Sequence, residues 1–431
     1  MANYRFDRAA DPEAGTPVAL VRPETTEQVQ AVVRIAAEHG VPIVTRGAGT
    51  GLSGGATAQD GAIMVSTDRM RTIDVDVATR TAVVQPGLLN REVKAAVAEH
   101  GLWYPPDPSS FDICSIGGNI ATNAGGLCCV KYGVTTDYVL GLQVVLADGT
   151  AVRLGGPRLK DVAGLPLTKL FVGSEGTLGI ITEATLRLIP AQGAPNIAVA
   201  FFASVDDATA AVSALTARIR PSLLEFMDGV SIRAVEAVTR MGLDTEAEAM
   251  LLVGSDTPGD AGLAELAIVE EVLTAHGAGD VFVADDPEMG EQFIQARRQA
   301  IPAIEKLGSL LLEDVGVPVP ALGDLIRGVA EIAERTGVVI AVVAHAGDGN
   351  THPLIVHDAQ DAAQVAAANI AFGEVMDLAL ALGGTITGEH GVGRLKRPWL
   401  EPQLGADVMA LTHKIKQALD PTGLFNPGVG I

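Results

Sequence analysis

The strongest chemical signal in the chain is the string VVAHAGDGNTHPLIV, in which two β-branched arms flank Gly347-Asp348-Gly349-Asn350. Asp-Gly is a favoured two-residue hairpin turn. With Asp348 and Gly349 as the loop, Gly347 pairs with Asn350, Ala346 with Thr351, and His345 lies directly opposite His352. Directly opposed side chains share one face of a sheet, with Cβ atoms roughly 4.5–5.5 Å apart. Two imidazoles at that spacing can chelate one divalent ion. Two histidines that only stack across a hairpin are the plain alternative. A second string, TGEHGVG at 387–393, changes the balance by offering Glu389 as a third ligand and His390 as a neighbouring base. Three protein ligands with an open position is the arrangement of a catalytic metal rather than a structural one.

An anionic substrate needs a cation. The pattern predicts a helix over 288–305 that carries Arg297-Arg298. A planar guanidinium is the natural partner of a carboxylate, whereas a solvated surface position is the expectation for one of the two.

Glycine clusters are the other feature. They read RGAGTGLSGG (46–55), SIGGNIATNAGG (115–126) and GSEGTLG (173–179). Gly49, Gly51 and Gly54 satisfy G-x-G-x-x-G after a plausible strand, which alone points to a nicotinamide dinucleotide fold. Only residues 55–61 separate the last of these glycines from the next strand. A helical parallel crossover needs about a dozen residues or more, so there is no room for the helix of that fold. What remains is a loop of exposed backbone N–H groups beside Arg46, suited to a pyrophosphate. One such loop is easily a surface turn; three in one domain argue for close approach to a ligand, because each glycine costs folding entropy.

These segments need elements to carry them. The first part of the chain alternates short β-branched runs (41–45, 62–67, 81–87) with few helices, the clearest at 26–39 and 90–100. From Pro195, strands alternate with amphipathic helices, including one over 320–336 before the strand VVIAVVAHA. That is an α/β or split-βαβ sheet pattern. Glycine returns at 383–396, followed by a helix at 406–419. The reading is a first domain at 1–192, a second at 193–385 carrying the histidine hairpin, and a C-terminal segment at 386–431 that returns to the first.

Composition fits. A chain of 431 residues divides into about three units, or two with a larger one. Apolar residues make up 48 %, enough for a sizeable core. A net charge of −22 repels phosphate backbones at long range and argues against nucleic acid as a partner. Cys114, Cys128 and Cys129 are odd in number and form no C-x-x-C pair, so a disulfide framework or a cysteine-ligated cluster has little support. They receive no role. The N-terminus lacks the layout of a signal peptide, and no uninterrupted apolar run approaches a membrane span. The expectation is a cytoplasmic protein, with peripheral attachment to a membrane left open.

The strings RPETTEQVQAVV, RGAGTGLSGG, VQPGLLNREV, YPPDPSS, CSIGGNIATNAGG, KYGVTTDYVLGLQVVLADG and LFVGSEGTLGIITEATLRL occur in the order found in the vanillyl-alcohol oxidase / p-cresol methylhydroxylase flavoproteins. Within that superfamily the chain resembles the FAD-linked 2-hydroxy-acid dehydrogenases, the glycolate oxidase flavin subunit and D-lactate dehydrogenase type, from about residue 16 to its last residues. The resemblance implies an α+β fold: a two-subdomain FAD-binding domain of the p-cresol methylhydroxylase type plus an α/β, ferredoxin-like substrate or cap domain. It also implies FAD contacts from Arg46, Gly47, Gly49, Thr50, Gly51, Ser53, Gly54, Pro86, Gly87, Ser115, Gly118, Asn123, Gly126, Glu175, Gly176, Gly179, Ile180 and Asn426. Relatives that tether FAD covalently through the first loop have a histidine there; this loop reads RGAGTGL, so non-covalent FAD is expected.

The same resemblance makes His345, His352 and Glu389 metal ligands, His390 the catalytic histidine and Arg297 the holder of the substrate carboxylate. Zinc is the expected ion, with Mn or Fe also compatible with N/O ligands. Enzymes of the D-2-hydroxyglutarate type have a further lysine in the strand after the arginine helix; here Leu312 stands at that place with Glu313 beside it. A small monocarboxylate, D-lactate or glycolate, is therefore favoured over D-2-hydroxyglutarate. The expected reaction is oxidation to the 2-oxo acid: His390 takes the hydroxyl proton, the metal makes that hydroxyl more acidic, and hydride passes from C2 to flavin N5. Electrons then leave to oxygen, a quinone, a cytochrome or another protein. A homodimer and a hetero-complex both stay open, including a flavin subunit that needs a partner to turn over. A zinc hydrolase is the rival from another class, and it leaves the glycine segments unexplained.

Overall fold

Thr25 opens the first long helix, Thr26–His39: its side chain accepts the Gln28 N–H, and Gly40 closes the far end in the left-handed conformation. Between these caps Val29, Val33 and Ala36 recur at helical spacing, and all three are buried. They pack with Ile43, Val65, Ile180 and Phe425 in one apolar core. The protein is described by a computed structural model covering residues 2–9, 11–284 and 286–431. It divides into two compact units.

The first unit comprises Met1–Gly126, Gly133–Ala191 and Glu389–Ile431. It contains a three-stranded parallel sheet in the order Ala19–Val21, Ile63–Ser66, Ile43–Arg46. The last two strands are parallel neighbours, and the glycine-rich stretch 47–62 is their whole connection, with no helix in it. The C-terminal segment adds to the free side of Ile43: the Ile43 N–H donates to Leu424 O at 2.8 Å and the Asn426 N–H to Ile43 O at 2.8 Å. A five-stranded antiparallel sheet runs Ile73–Asp76, Thr81–Val84, Ile180–Arg187, Val139–Val145, Ala151–Gly155.

The second unit comprises Leu127–Tyr132 and Gln192–Gly388. Its eight-stranded sheet is built from antiparallel pairs in the order Val281–Val283, Asn196–Phe202, Ala249–Ser255, Leu223–Asp228, Val339–His345, Asn350–His357, Ser309–Leu312. Val315–Gly316 also pairs with Asn350–His357. Ile197, Val199, Leu223, Met227, Leu252, Val343 and Leu354 make the sheet's contribution to the main core of this unit.

Three expectations need correction. The helix expected over 288–305 is two helices, Pro287–Arg298 and Ala300–Ile304, broken at Gln299. Pro302 has no N–H to give to the Arg298 carbonyl four residues earlier, so the helical ladder cannot run through. The 345–352 hairpin closes through four loop residues, 346–349, rather than two, and pairs His345 with Asn350 and Val343 with His352. The cause is tertiary: the Gly347 N–H donates to Leu224 O at 3.1 Å, while the Asp348 and Gly349 N–H groups both turn back to His345 O at 3.2 and 3.1 Å. Finally, helix Ala362–Ala381 reaches the length and mean hydropathy of a membrane span, 1.2 over 18 residues. Charged residues break its apolar run, which is why a search for an uninterrupted run passes over it. It packs against helix Leu322–Thr336 and strand Asn350–His357 through Ala368, Ala371, Val375 and Ala379, and Glu374 pairs with Arg335 at 2.6 Å.

Candidate active site

In the first unit, strand Ile43–Arg46 delivers Arg46 to the start of the glycine loop. Arg46 is buried, with Nη1 donating to Ala56 O at 3.3 Å and Nη2 to Asn3 O at 3.4 Å. Burial lowers its pKa, against the opposing pull of Asp7 and Tyr4. Gly49 has φ +77°, and a Cβ there would run into the Arg46 guanidinium; a Cβ on Gly47 would run into Ser115 Oγ. Ser115 Oγ itself accepts the N–H groups of Ala48 at 3.1 Å and Gly118 at 3.3 Å, and so ties the first glycine string to the second. The N–H groups of Gly49, Thr50 and Gly51 find no acceptor among the described residues. Open donors over a buried cation are what a pyrophosphate requires, and so this cradle fits the FAD that the sequence implies.

The remaining flavin candidates fall into two groups. Some join strings together. Pro86 O accepts the Gly117 N–H at 2.9 Å, the Gly87 N–H reaches Met70 O at 2.8 Å, and Asn123 Oδ1 accepts the Thr136 N–H at 2.8 Å. Buried Asn426 donates to Gly55 O at 2.9 Å and Glu175 O at 2.8 Å, while its Oδ1 has no partner among the described residues. Gly51 O accepts from Arg8 and Ala9, and Ser53 Oγ donates to His390 O at 3.1 Å. Gly54, Gly126 and Gly176 all have positive φ. The others also have packing or anchoring contacts of their own. Ile180 belongs to the apolar core, and Gly179 gives way to Val144. The Glu175 carboxylate is committed to two backbone N–H groups, Val392 at 2.7 Å and Gly393 at 2.6 Å.

The second unit holds a buried polar cluster. The rings of His345 and His352 lie 5.2 Å apart, edge to face. The four-residue turn shifts the pairing by two positions, and side chains alternate with period two, so both histidines keep the same face as diagonal neighbours. His345 Nδ1 lies 2.8 Å from Glu225 Oε1, and Arg297 Nη2 lies 2.9 Å from Glu225 Oε2. His352 Nδ1 is 3.7 Å from Asp314 Oδ1. Arg297 Nε and Asn350 Oδ1 are buried without a hydrogen-bond partner among the described residues. Arg298 is half-buried, and Leu312 packs on the core, so no cation stands in that strand position.

Glu225 and Asp314 are the residues that the sequence reading missed. Each had a signal: a lone carboxylate in the apolar run LLEFM for Glu225, and a carboxylate pair, Glu313-Asp314, in the apolar run LLLEDV for Asp314. Glu225 fixes the orientation of the His345 ring by taking its Nδ1 side. Glu389 and His390 belong to the first unit, with His390 Nε2 at 3.7 Å from Glu389 Oε1.

A glycine-lined cradle for a dinucleotide, together with a sheet unit bearing histidines and carboxylates, defines a flavin-dependent oxidoreductase. The chain belongs to the FAD-linked oxidases: residues 192–429 match the C-terminal domain of the FAD linked oxidases and residues 17–155 match an FAD binding domain. It is 40 % identical to glycolate oxidase subunit GlcD of Bacillus subtilis (strain 168), over 99 % of this chain and 91 % of that one. It is 35 % identical to a D-lactate dehydrogenase of Archaeoglobus fulgidus, over 99 % and 94 %. The fold is that of substrate-bound p-cresol methylhydroxylase, with a TM-score of 0.82 over 99 % of this chain and 91 % of that one at 19 % identity.

Proposed function

We propose that this FAD-linked oxidoreductase acts on a CH–OH donor, a small 2-hydroxy monocarboxylate such as D-lactate or glycolate, and oxidises it to the 2-oxo acid. The carrying observation is the buried line Arg297–Glu225–His345, which presents a guanidinium and an oriented imidazole on one wall of the second unit. The relatives' names, a glycolate oxidase subunit and a D-lactate dehydrogenase, support the substrate class. Leu312, half-buried against the core, supports one carboxylate rather than two.

Bound non-covalently, FAD supplies the two-electron acceptor. A divalent cation, zinc before Mn or Fe, held by His345, His352 and Glu389, supplies Lewis acidity at the substrate hydroxyl. The donor set supports such an ion: two imidazoles and a carboxylate suit a divalent cation. Arg297 holds the substrate carboxylate, with its Nε–H and the in-plane N–H groups turned away from Glu225 as donors. His390, neutral, takes the hydroxyl proton. A second reading, a flavin subunit that passes its electrons within a larger complex, is favoured by the relative named as a subunit.

The test is an anaerobic visible spectrum of the metal-loaded protein with D-lactate, L-lactate, glycolate and D-2-hydroxyglutarate in turn. The flavin bands should bleach with D-lactate or glycolate. Bands that survive all four acids reject the 2-hydroxy-acid reading, and bleaching by D-2-hydroxyglutarate alone rejects the monocarboxylate.

Glu225 gives a separate prediction. In E225Q the amide no longer carries the charge that orients His345, and metal affinity should fall about 10–100-fold. Competition with a chromogenic zinc chelator measures this directly, and FAD content should not change. Unaltered affinity would show that Glu225 does not tune the histidine.

A further inference from the structure

Two buried carboxylates hold the chain on either side of Glu389 and His390, each within its own unit. Before them, Asp314 Oδ2 accepts Thr387 Oγ1 at 2.7 Å and the Gly388 N–H at 2.9 Å. Asp314 is fully buried, and Gly388 lies so close to the Asn350 amide that a Cβ would collide with it. Gly316 and Thr385 exchange backbone hydrogen bonds at 3.1 and 2.7 Å and fix the approach of this stretch. After them, Glu175 Oε1 accepts the Val392 N–H at 2.7 Å and Oε2 the Gly393 N–H at 2.6 Å. Only Glu389, His390 and Gly391 lie between the two anchors.

We propose that Asp314 and Glu175 are positioning residues for the reaction, holding Glu389 and His390 at fixed height by accepting the backbone N–H groups that flank them. The inference rests on the roles given above to Glu389 and His390. Glu175 is built for this task. It has φ +50°, a conformation that a non-glycine residue keeps only when its surroundings over-determine it. Its own N–H donates to Ala121 O at 2.8 Å, and Asn426 Nδ2 donates to its carbonyl at 2.8 Å. Burial pushes its carboxyl up to about 7, while the two N–H groups and Lys396 pull it down. Two N–H groups require two acceptor oxygens. A carboxylate has both; an amide has one, and its NH2 would face an N–H. The glycine string GSEGTLG thus places a clamp in a segment where the family resemblance implies a flavin contact.

The experiment is hydrogen–deuterium exchange on the holoenzyme, followed in peptides that together cover 386–396, for the wild type, E175Q and D314A. In E175Q the Val392 and Gly393 amides should exchange about tenfold faster or more, since a hydrogen bond to a charged group is lost. Turnover should fall by a similar factor, with KM moved less than about threefold and FAD content at the wild-type level. D314A, which removes both acceptor oxygens, should speed exchange of the Gly388 amide and show the same split between kcat and KM, and it carries the test if E175Q does not fold. Unchanged exchange in both variants overturns the proposal. So does faster exchange with normal turnover. FAD loss in E175Q without faster loop exchange would return Glu175 to the flavin site and also overturns it. Failure of the wild-type flavin to bleach with any acid is a different result: it removes the 2-hydroxy-acid reading, and the exchange rates still report whether the anchors hold the loop.

Discussion

Replacing His390 with alanine is expected to lower turnover by about 10²–10⁴ while leaving FAD bound. The size follows from removing the proposed general base, whose proton transfer would accompany C–H cleavage. The specificity follows from the local structure. Ser53 Oγ donates to the His390 backbone carbonyl, which alanine retains, and the Val392 and Gly393 N–H groups stay on Glu175. The loop should therefore keep its path, and the loss should be one of chemistry rather than of folding. The measurement is the rate of anaerobic flavin reduction in a stopped-flow instrument, which isolates the chemical step from electron transfer to the acceptor. A reduction rate near that of the wild type would remove His390 from the mechanism. His345→Ala offers the contrast, because metal content and reduction should fall together there. A metal-free His345→Ala enzyme with full activity would mean that the ion has no part in the reaction.

What the sequence made legible was local. Helix Thr26–His39 matches the 26–39 reading to the residue because its boundaries are set by its own caps, Thr25 and Gly40. The glycine loop was correctly denied a dinucleotide-fold helix, because that argument needs only chain length. What could not be read depends on partners distant in the chain. The histidine hairpin was given a two-residue turn from its Asp-Gly; the bond from Gly347 to Leu224 decides otherwise. The shared face survived the error because the register moved by two rather than one. Glu225 lies 120 residues from His345, and Arg297 pairs with Glu225 rather than standing open throughout. An isolated carboxylate in an apolar strand announces that it has a partner without naming it. Glu175 shows the reverse: the motif was visible, but which of its atoms face the glycine loop at 389–393 is a property of the fold.

The cofactor cradle supports the second large effect. Gly49→Val should yield a folded, nearly colourless protein whose affinity for FAD is weaker by about two orders of magnitude or more. Two costs combine. A β-branched side chain at φ +77° is strained, by roughly 1–2 kcal/mol. The added atoms also occupy the space of the Arg46 guanidinium, whose proposed charge-assisted bond to a phosphate would contribute about 1.5–3 kcal/mol. The free loop relieves its strain by leaving this conformation, so binding must restore it, and the two costs then add to about 2.5–5 kcal/mol, roughly a hundredfold loss or more. The strand beneath should survive, because Ile43–Arg46 is held by its pairing to Ile63–Ser66 and by Leu424 and Asn426 on its other side. The checks are the ratio of flavin to protein absorbance after purification, titration of the apoprotein with FAD, and a far-ultraviolet dichroism spectrum to establish folding. A folded Gly49→Val protein that retains stoichiometric FAD would show that the loop 46–55 does not carry the pyrophosphate. The other glycine strings would then have to supply the phosphate contacts without Arg46.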